Sequence, residues 1–227
     1  MSVIYLVRHG QASLFGRDYD VLSDLGVEQS RVVGGALADR GVRPDVVVRG
    51  TMRRHEQTTA AALEAAGWDG IPVEVDPRWN EIDHVDIIKA HEPAYTSHAA
   101  MVDALVDGPD PDRAFRTVFD DALRMWVDGG GAYVETPGEF RARVDAALAD
   151  VVARTATGQT VLVFSSGGPV AAATTTGLGL DMTAWLMVSR LVINASVTKL
   201  VAGESGVTVV SFNEHGHVEA AGALTYH

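Results

Sequence analysis

The sequence predicts an α/β fold: a three-layer sandwich with a mostly parallel central sheet and a helical insertion. Three observations carry this expectation. Short apolar runs at 3–7, 46–48 and 160–164 lack polar alternation, as strands buried on both faces do. Between them lie stretches with apolar residues at helical spacing, and strand–helix alternation favours a parallel sheet covered by helices. From about Asp83 to Val134 the strand pattern disappears. That stretch reads as helical pieces broken by Pro93, Gly108-Pro109, Pro111 and Gly129-Gly130-Gly131.

The elements follow in order. Val3-Ile4-Tyr5-Leu6-Val7 is the first strand. Ser23 is a suitable N-cap for a helix running to about Arg40, with Leu25, Val32, Val33, Ala36 and Leu37 at helical spacing and Gly41 as its stop. Asp45 to Val48 is the second strand, and a helix from about Arg53 to Ala66 ends at Gly67. Pro72 to Val75 gives a third strand. Thr136-Pro137-Gly138-Glu139 combines an N-cap, a proline at the first helical position and a capping-box Glu, opening a helix to about Thr155. Thr160 to Phe164 is a buried strand, and Ser165-Ser166-Gly167-Gly168-Pro169 turns into an Ala-rich helix. Late strands are expected near Leu191 to Val201 and Val207 to Phe212. With 227 residues, 47% of them hydrophobic, one core suffices: a single domain over 1–227, with a cap or insertion at about 83–134.

Composition excludes several function classes. A net charge of −12 disfavours nucleic acid as a partner. The absence of cysteine removes disulfides, thiolate metal sites and Cys nucleophiles. No stretch approaches the roughly 18 apolar residues of a membrane span, and Arg8 interrupts the first apolar run too early for a signal peptide. The expectation is a soluble cytoplasmic protein without a membrane partner.

Three strand ends carry polar groups. Arg8 and His9 follow the first strand. Arg49, Arg53 and Arg54 follow the second, and Ser165-Ser166-Gly167-Gly168 follows the strand at 160–164 and opens a helix. Parallel strands place these ends on one sheet edge, where open α/β sheets bind ligands. Guanidinium forks, an imidazole and the backbone N–H groups of a glycine-flanked helix start suit a phosphoryl group.

Leu6-Val7-Arg8-His9-Gly10-Gln11-Ala12 resembles the signature of the histidine phosphatase superfamily, phosphoglycerate mutase-like branch. Gly50-Thr51-Met52-Arg53-Arg54-His55-Glu56-Gln57-Thr58 resembles its second motif, Ser-Pro-Leu-x-Arg-Ala-x-Gln-Thr, and selects Arg54 as the phosphate-binding arginine. Arg78-Trp79-Asn80-Glu81-Ile82-Asp83 resembles the Leu-x-Glu-Ile motif that supplies the acid, with Asp83 as a competing carboxylate. Strand-Ser-Ser-Gly-Gly is similar to the strand-Ser-His-Gly-Gly motif, and Asn194-Ala195-Ser196-Val197-Thr198 is similar to a late strand of these proteins.

The resemblance implies a metal-independent phosphomonoester hydrolase acting through phospho-His9, with no cofactor, on a small phosphorylated metabolite. Arg8, Arg54, Ser166 and Gly167 would bind phosphate, and Glu81 would donate a proton to the leaving group and later activate water. The sequence departs from the family at Ser166, where a second histidine is expected. Loss of such a donor costs about 2–4 kcal/mol of transition-state stabilisation. A phospholigand-binding protein with weakened catalysis is therefore the alternative, and His84 is the nearest histidine to the acid motif. The mutase reading loses support. Gln11-Ala12-Ser13-Leu14-Phe15 replaces Glu-Ser-x-Trp-Asn, with Phe15 at the position of a phosphate-contacting Asn. Positions 84–100 hold Lys89 as the single Lys or Arg.

Competing readings are weaker. His84, Asp86, His91 and His98 lack a zinc spacing. His215-Gly216-His217 reads as a turn. Phe164 and Pro169 break the Gly-x-Ser-x-Gly elbow of a serine hydrolase. The tryptophans read as packing residues, with Trp79 placed to line a pocket beside Glu81.

Overall fold

The computed structural model describes residues 1–13, 20–203 and 206–226. Phe15 lies outside the described residues. Six strands form one sheet: β1 (Ser2–Arg8), β2 (Val46–Arg49), β3 (Val73–Val75), β4 (Thr160–Ser165), β5 (Val197–Gly203) and β6 (Gly206–Glu214). Their order is β3-β2-β4-β1-β5-β6. The pairs β2–β3, β2–β4 and β1–β4 are parallel, and β1–β5 and β5–β6 are antiparallel.

The first strand lacks polar alternation because both of its faces are covered. Ile4 and Leu6 face one apolar cluster, Tyr5 and Val7 the other, as a two-residue period requires. The second cluster is closed by α1 (Asp24–Asp39) and α2 (Arg53–Ala66), through Val33, Leu37 and Ala62. The first cluster lies under α6 (Pro137–Arg154) and α7 (Gly167–Gly177). It extends into three helices between β3 and α6: α3 (His84–His91), α4 (His98–Leu105) and α5 (Pro111–Val127). No strand occurs among residues 84–127.

Local signals act as their chemistry requires. Ser23 accepts from the Gly26 N–H at the start of α1, and Thr136 and Glu139 form a complete capping box on α6. Gly67 ends α2 with φ of 64°. Three late elements differ from expectation. Strand β5 starts at Val197, because Ala195 has a φ of 54° and turns the chain after Asn194. Residues 182–189 form a helix, α8 (Met182–Ser189), capped by Asp181, and Gly216–Ala220 forms a short helix, α9, rather than only a turn. Among the described residues no helix is long and apolar enough to cross a membrane.

Candidate active site

In-register parallel pairing carries the polar residues to one edge. Arg8 stands opposite Ser165, and Arg49 opposite Phe164. A cavity of about 290 Å³ opens there, with Arg8, His9, Arg54, Glu81, Gly167 and Gly168 in its walls. Five of the six site residues expected from the sequence therefore share one cavity. The sixth, Ser166, is fully buried beside it and is not part of its lining.

His9 is oriented by its own backbone. Its Nδ1 lies 2.6 Å from the Gly10 carbonyl oxygen. A carbonyl only accepts, so Nδ1 carries the proton and Nε2 keeps its lone pair. Asn194 Nδ2 and the Ala195 N–H hold the His9 carbonyl at 3.3 and 3.2 Å. Burial, helped by the Arg54 and Arg8 cations and His55, pushes His9 well below the ordinary histidine value. The imidazole is therefore neutral at neutral pH.

Arg8 and Arg54 are fixed differently. Arg8 Nη1 donates to the Val192 carbonyl, in the segment between α8 and β5. Arg54 lies in the first turn of α2, and its Nη1 meets Asp20 Oδ1 at 2.9 Å. The other Asp20 oxygen accepts from the Arg53 N–H at 2.9 Å. Asp20 thus ties the guanidinium and the helix start together, a role with no signal in the sequence pattern.

Glu81 follows a 3₁₀ turn at Pro77–Trp79. Its Oε2 accepts from the Gly168 N–H at 3.0 Å, and its Oε1 from the Ile82 N–H at 3.0 Å. The carboxylate therefore caps α7, whose N-cap Ser166 makes no side-chain capping bond. Gly168 is required for this approach, since a Cβ there would fall 2.1 Å from Glu81 Oε1. Gly168→Ala is expected to keep the fold, because the group in the way is a movable carboxylate. The same variant should lower any phosphatase turnover about tenfold or more by displacing the Glu81 carboxylate. Equal turnover at unchanged thermal stability would rule that out.

Trp79 is fully buried and lines no part of the cavity; the indole there is Trp185. Trp185 Nε1 donates to the Gly168 carbonyl at 2.9 Å, and its ring stands edge-on to Trp126 and Phe140, with centroids 5.5 Å away in each case. Arg49 and Arg53 do not reach the cavity; Arg49 pairs with Glu56 at 3.4 Å. Arg116 and Arg190 do line it, and Arg190 meets Asp120 at 3.1 Å. The count of cations at 84–100 missed both, because they come from α5 and from the end of α8.

The family model of the histidine phosphatase superfamily (branch 1) matches residues 4–215. The chain belongs to the histidine phosphatase superfamily. A 2,3-bisphosphoglycerate-dependent phosphoglycerate mutase of Thermobifida fusca is 42% identical over 87 residues, 36% of this chain and 35% of that protein. The chain thus aligns with about a third of that relative's length. Among solved structures, Bacillus stearothermophilus YhfR matches with a TM-score of 0.71 at 18% identity, covering 96% of this chain and all of the other. A mycobacterial glucosyl-3-phosphoglycerate phosphatase matches with a TM-score of 0.63 at 24% identity, covering 93% and 98%. At these identities the two structures speak for the fold.

Against the superfamily's pattern, the position of the second histidine holds Ser166, whose Oγ lies 2.7 Å from His55 Nε2. His55 is fully buried, and its ring centroid is 5.8 Å from that of His9. Burial, with the Arg54 and Arg49 cations, pushes it well below the ordinary histidine value. Sequence reasoning named His84 as the nearest histidine to the acid motif. His84 does line the cavity, with its value pushed down to about 4 by burial, His98 and Arg54. His55, and not His84, is the histidine bonded to Ser166. The available signal was its place in the second motif, where the family pattern has Ala.

Proposed function

We propose that this protein is a metal-independent phosphomonoester hydrolase that works through a phosphohistidine on His9. The observation that carries the reading is the His9 tautomer: Nδ1–H is tied to the Gly10 carbonyl, and Nε2 keeps its lone pair in a cavity walled by Arg8, Arg54 and Glu81. Nε2 attacks phosphorus, the P–O ester bond breaks, and the leaving alkoxide takes a proton from Glu81. Water then attacks the phosphohistidine and gives a proton to Glu81, and the P–N bond breaks with its electron pair returning to Nε2. Arg8 and Arg54 balance the charge on the equatorial oxygens.

Hydrolysis is preferred to phosphoryl transfer between substrates. A mutase must rebind a doubly phosphorylated intermediate, yet 84–100 offers Lys89 alone, and of the two further arginines in the cavity wall, Arg116 and Arg190, the second is held by Asp120. Beyond the phosphate subsite the wall is largely apolar, with Phe115, Phe119, Leu123, Trp185 and Tyr226. This suits a small monoester whose leaving group carries hydrocarbon surface.

The test is turnover of p-nitrophenyl phosphate across pH. His9 reacts in its neutral form, and its value is lowered, so the neutral form persists to lower pH. After allowance for ionisation of the substrate, the acid limb of kcat/KM is expected well below about 6.5, the unperturbed histidine value. Absence of turnover, or an acid limb at or above that value, would refute the reading.

A further inference from the structure

His55 Nε2 bonds to Ser166 Oγ at 2.7 Å, and both side chains are fully buried. Nδ1 of the same ring is buried and has no hydrogen-bond partner among the described residues. A residue kept only for packing gains nothing from an unmet polar atom, and a hydrocarbon side chain would fill the space without that penalty. The ring also demands room. A Cβ on Gly50 would lie 2.3 Å from His55 Nδ1 and 2.6 Å from Asn80 Oδ1, and the family pattern has Ser at position 50. Three positions thus depart together: Gly50 opens a space, His55 fills it, and Ser166 receives the imidazole.

The tautomer follows from the unmet atom. If Nδ1 carried the hydrogen, a buried N–H would have no acceptor. With the hydrogen on Nε2, only a lone pair is unmet, the lesser penalty. Nε2–H therefore donates to Ser166 Oγ, and the Ser166 hydroxyl hydrogen is left to point elsewhere. Because Arg8 and Ser165 are register partners, Ser166 comes alongside His9, whose N–H donates to the Ser165 carbonyl at 2.8 Å.

We propose that His55 is the second imidazole of this site, a positioning residue that acts through Ser166. It donates from Nε2 to Ser166 Oγ and so holds the Ser166 hydroxyl, buried just behind the cavity wall, turned toward His9 and the phosphoryl group that His9 would carry. In a buried chain each hydrogen bond strengthens the next, so charge growing on the phosphoryl oxygens is met by a polarised hydroxyl. The inference rests on the phosphohistidine reading above.

The experiment compares His55→Gln, His55→Leu, Ser166→Ala and the double variant His55→Leu/Ser166→Ala. Glutamine places an N–H donor close to the position of Nε2; leucine fills space without one. Turnover of p-nitrophenyl phosphate and affinity for orthovanadate are measured on each, with thermal unfolding to verify folding. His55→Leu and Ser166→Ala should each lower kcat about a hundredfold and weaken vanadate binding, with little change in KM, as loss of a transition-state donor does. The double variant should match the single ones, because both break one path. His55→Gln should stay close to wild type.

A His55→Leu protein as active as His55→Gln, or a double variant whose defects multiply, would overturn the proposal. If His55→Leu does not fold, His55→Met takes its place: it fills the space without an N–H donor, and must be slow where His55→Gln is fast. Wild-type turnover through labelled His9 with a flat variant series defeats this inference alone. A wild type without turnover defeats the hydrolase reading, while the vanadate series still reads the His55–Ser166 coupling.

Discussion

Replacing His9 with alanine is expected to abolish turnover, by about 10⁴-fold or more, because covalent catalysis loses the imidazole that takes the phosphoryl group. His55 is fully buried and its Nε2 is committed to Ser166. His84, the other histidine in the wall, sits in edge contact with His98. In wild type, rapid quench into alkaline detergent after mixing with a ³²P-labelled monoester should trap label in acid-labile, base-stable linkage. His9→Ala should trap none. The fold should survive, since the bond lost with the side chain is the one His9 makes with the neighbouring Gly10 carbonyl. Phosphate should still bind, as Arg8 and Arg54 remain in place. Turnover that persists in His9→Ala, or label in the variant, would remove His9 from the reaction.

Replacing Glu81 with glutamine separates the two half-reactions. Proton donation matters little when the leaving group is a stable anion such as p-nitrophenolate, and greatly for an alkoxide. With p-nitrophenyl phosphate, Glu81→Gln should therefore release about one equivalent of nitrophenol rapidly and then turn over slowly, because water activation has lost its base. With an alkyl phosphate the burst should vanish and the rate should fall about 10²–10⁴-fold. The glutamine carbonyl can still accept from the Gly168 N–H, so the α7 cap is preserved. A uniform loss with both substrates would mean that Glu81 positions the site without moving a proton, and a normal rate would return the role to Asp83. In the structure Asp83 caps α3 through the Val85 and Asp86 N–H groups and is absent from the cavity wall.

Helices α1, α2 and α6 were legible because their stops and caps are local: Ser23, Gly67 and the Thr136–Glu139 box act within a few residues. Helix α8 was missed because it is apolar without a clear polar face; it is buried through Trp185 and opens on a single capping Asp181. The start of β5 was placed too early because Leu191, Val192 and Ile193 look like strand residues. Their backbone instead turns to carry the Arg8 and His9 partners Val192, Asn194 and Ala195. Tertiary contact overrode propensity there, as it does at functional sites.

By itself the sequence determined the strand ends and singled out His9, Arg8, Arg54 and Glu81 as candidates, because each sits in a short motif whose spacing is fixed by one turn of backbone. It also determined that position 166 has no histidine. Only the tertiary structure decided what stands in its place. His55 and Ser166 are 111 residues apart in sequence and become neighbours because β2 and β4 pair in parallel and release their helices at the same edge. Gly50 has meaning only beside the ring it makes room for. Motifs report local geometry, whereas an exchange of side chains across a shared volume is visible only when that volume is.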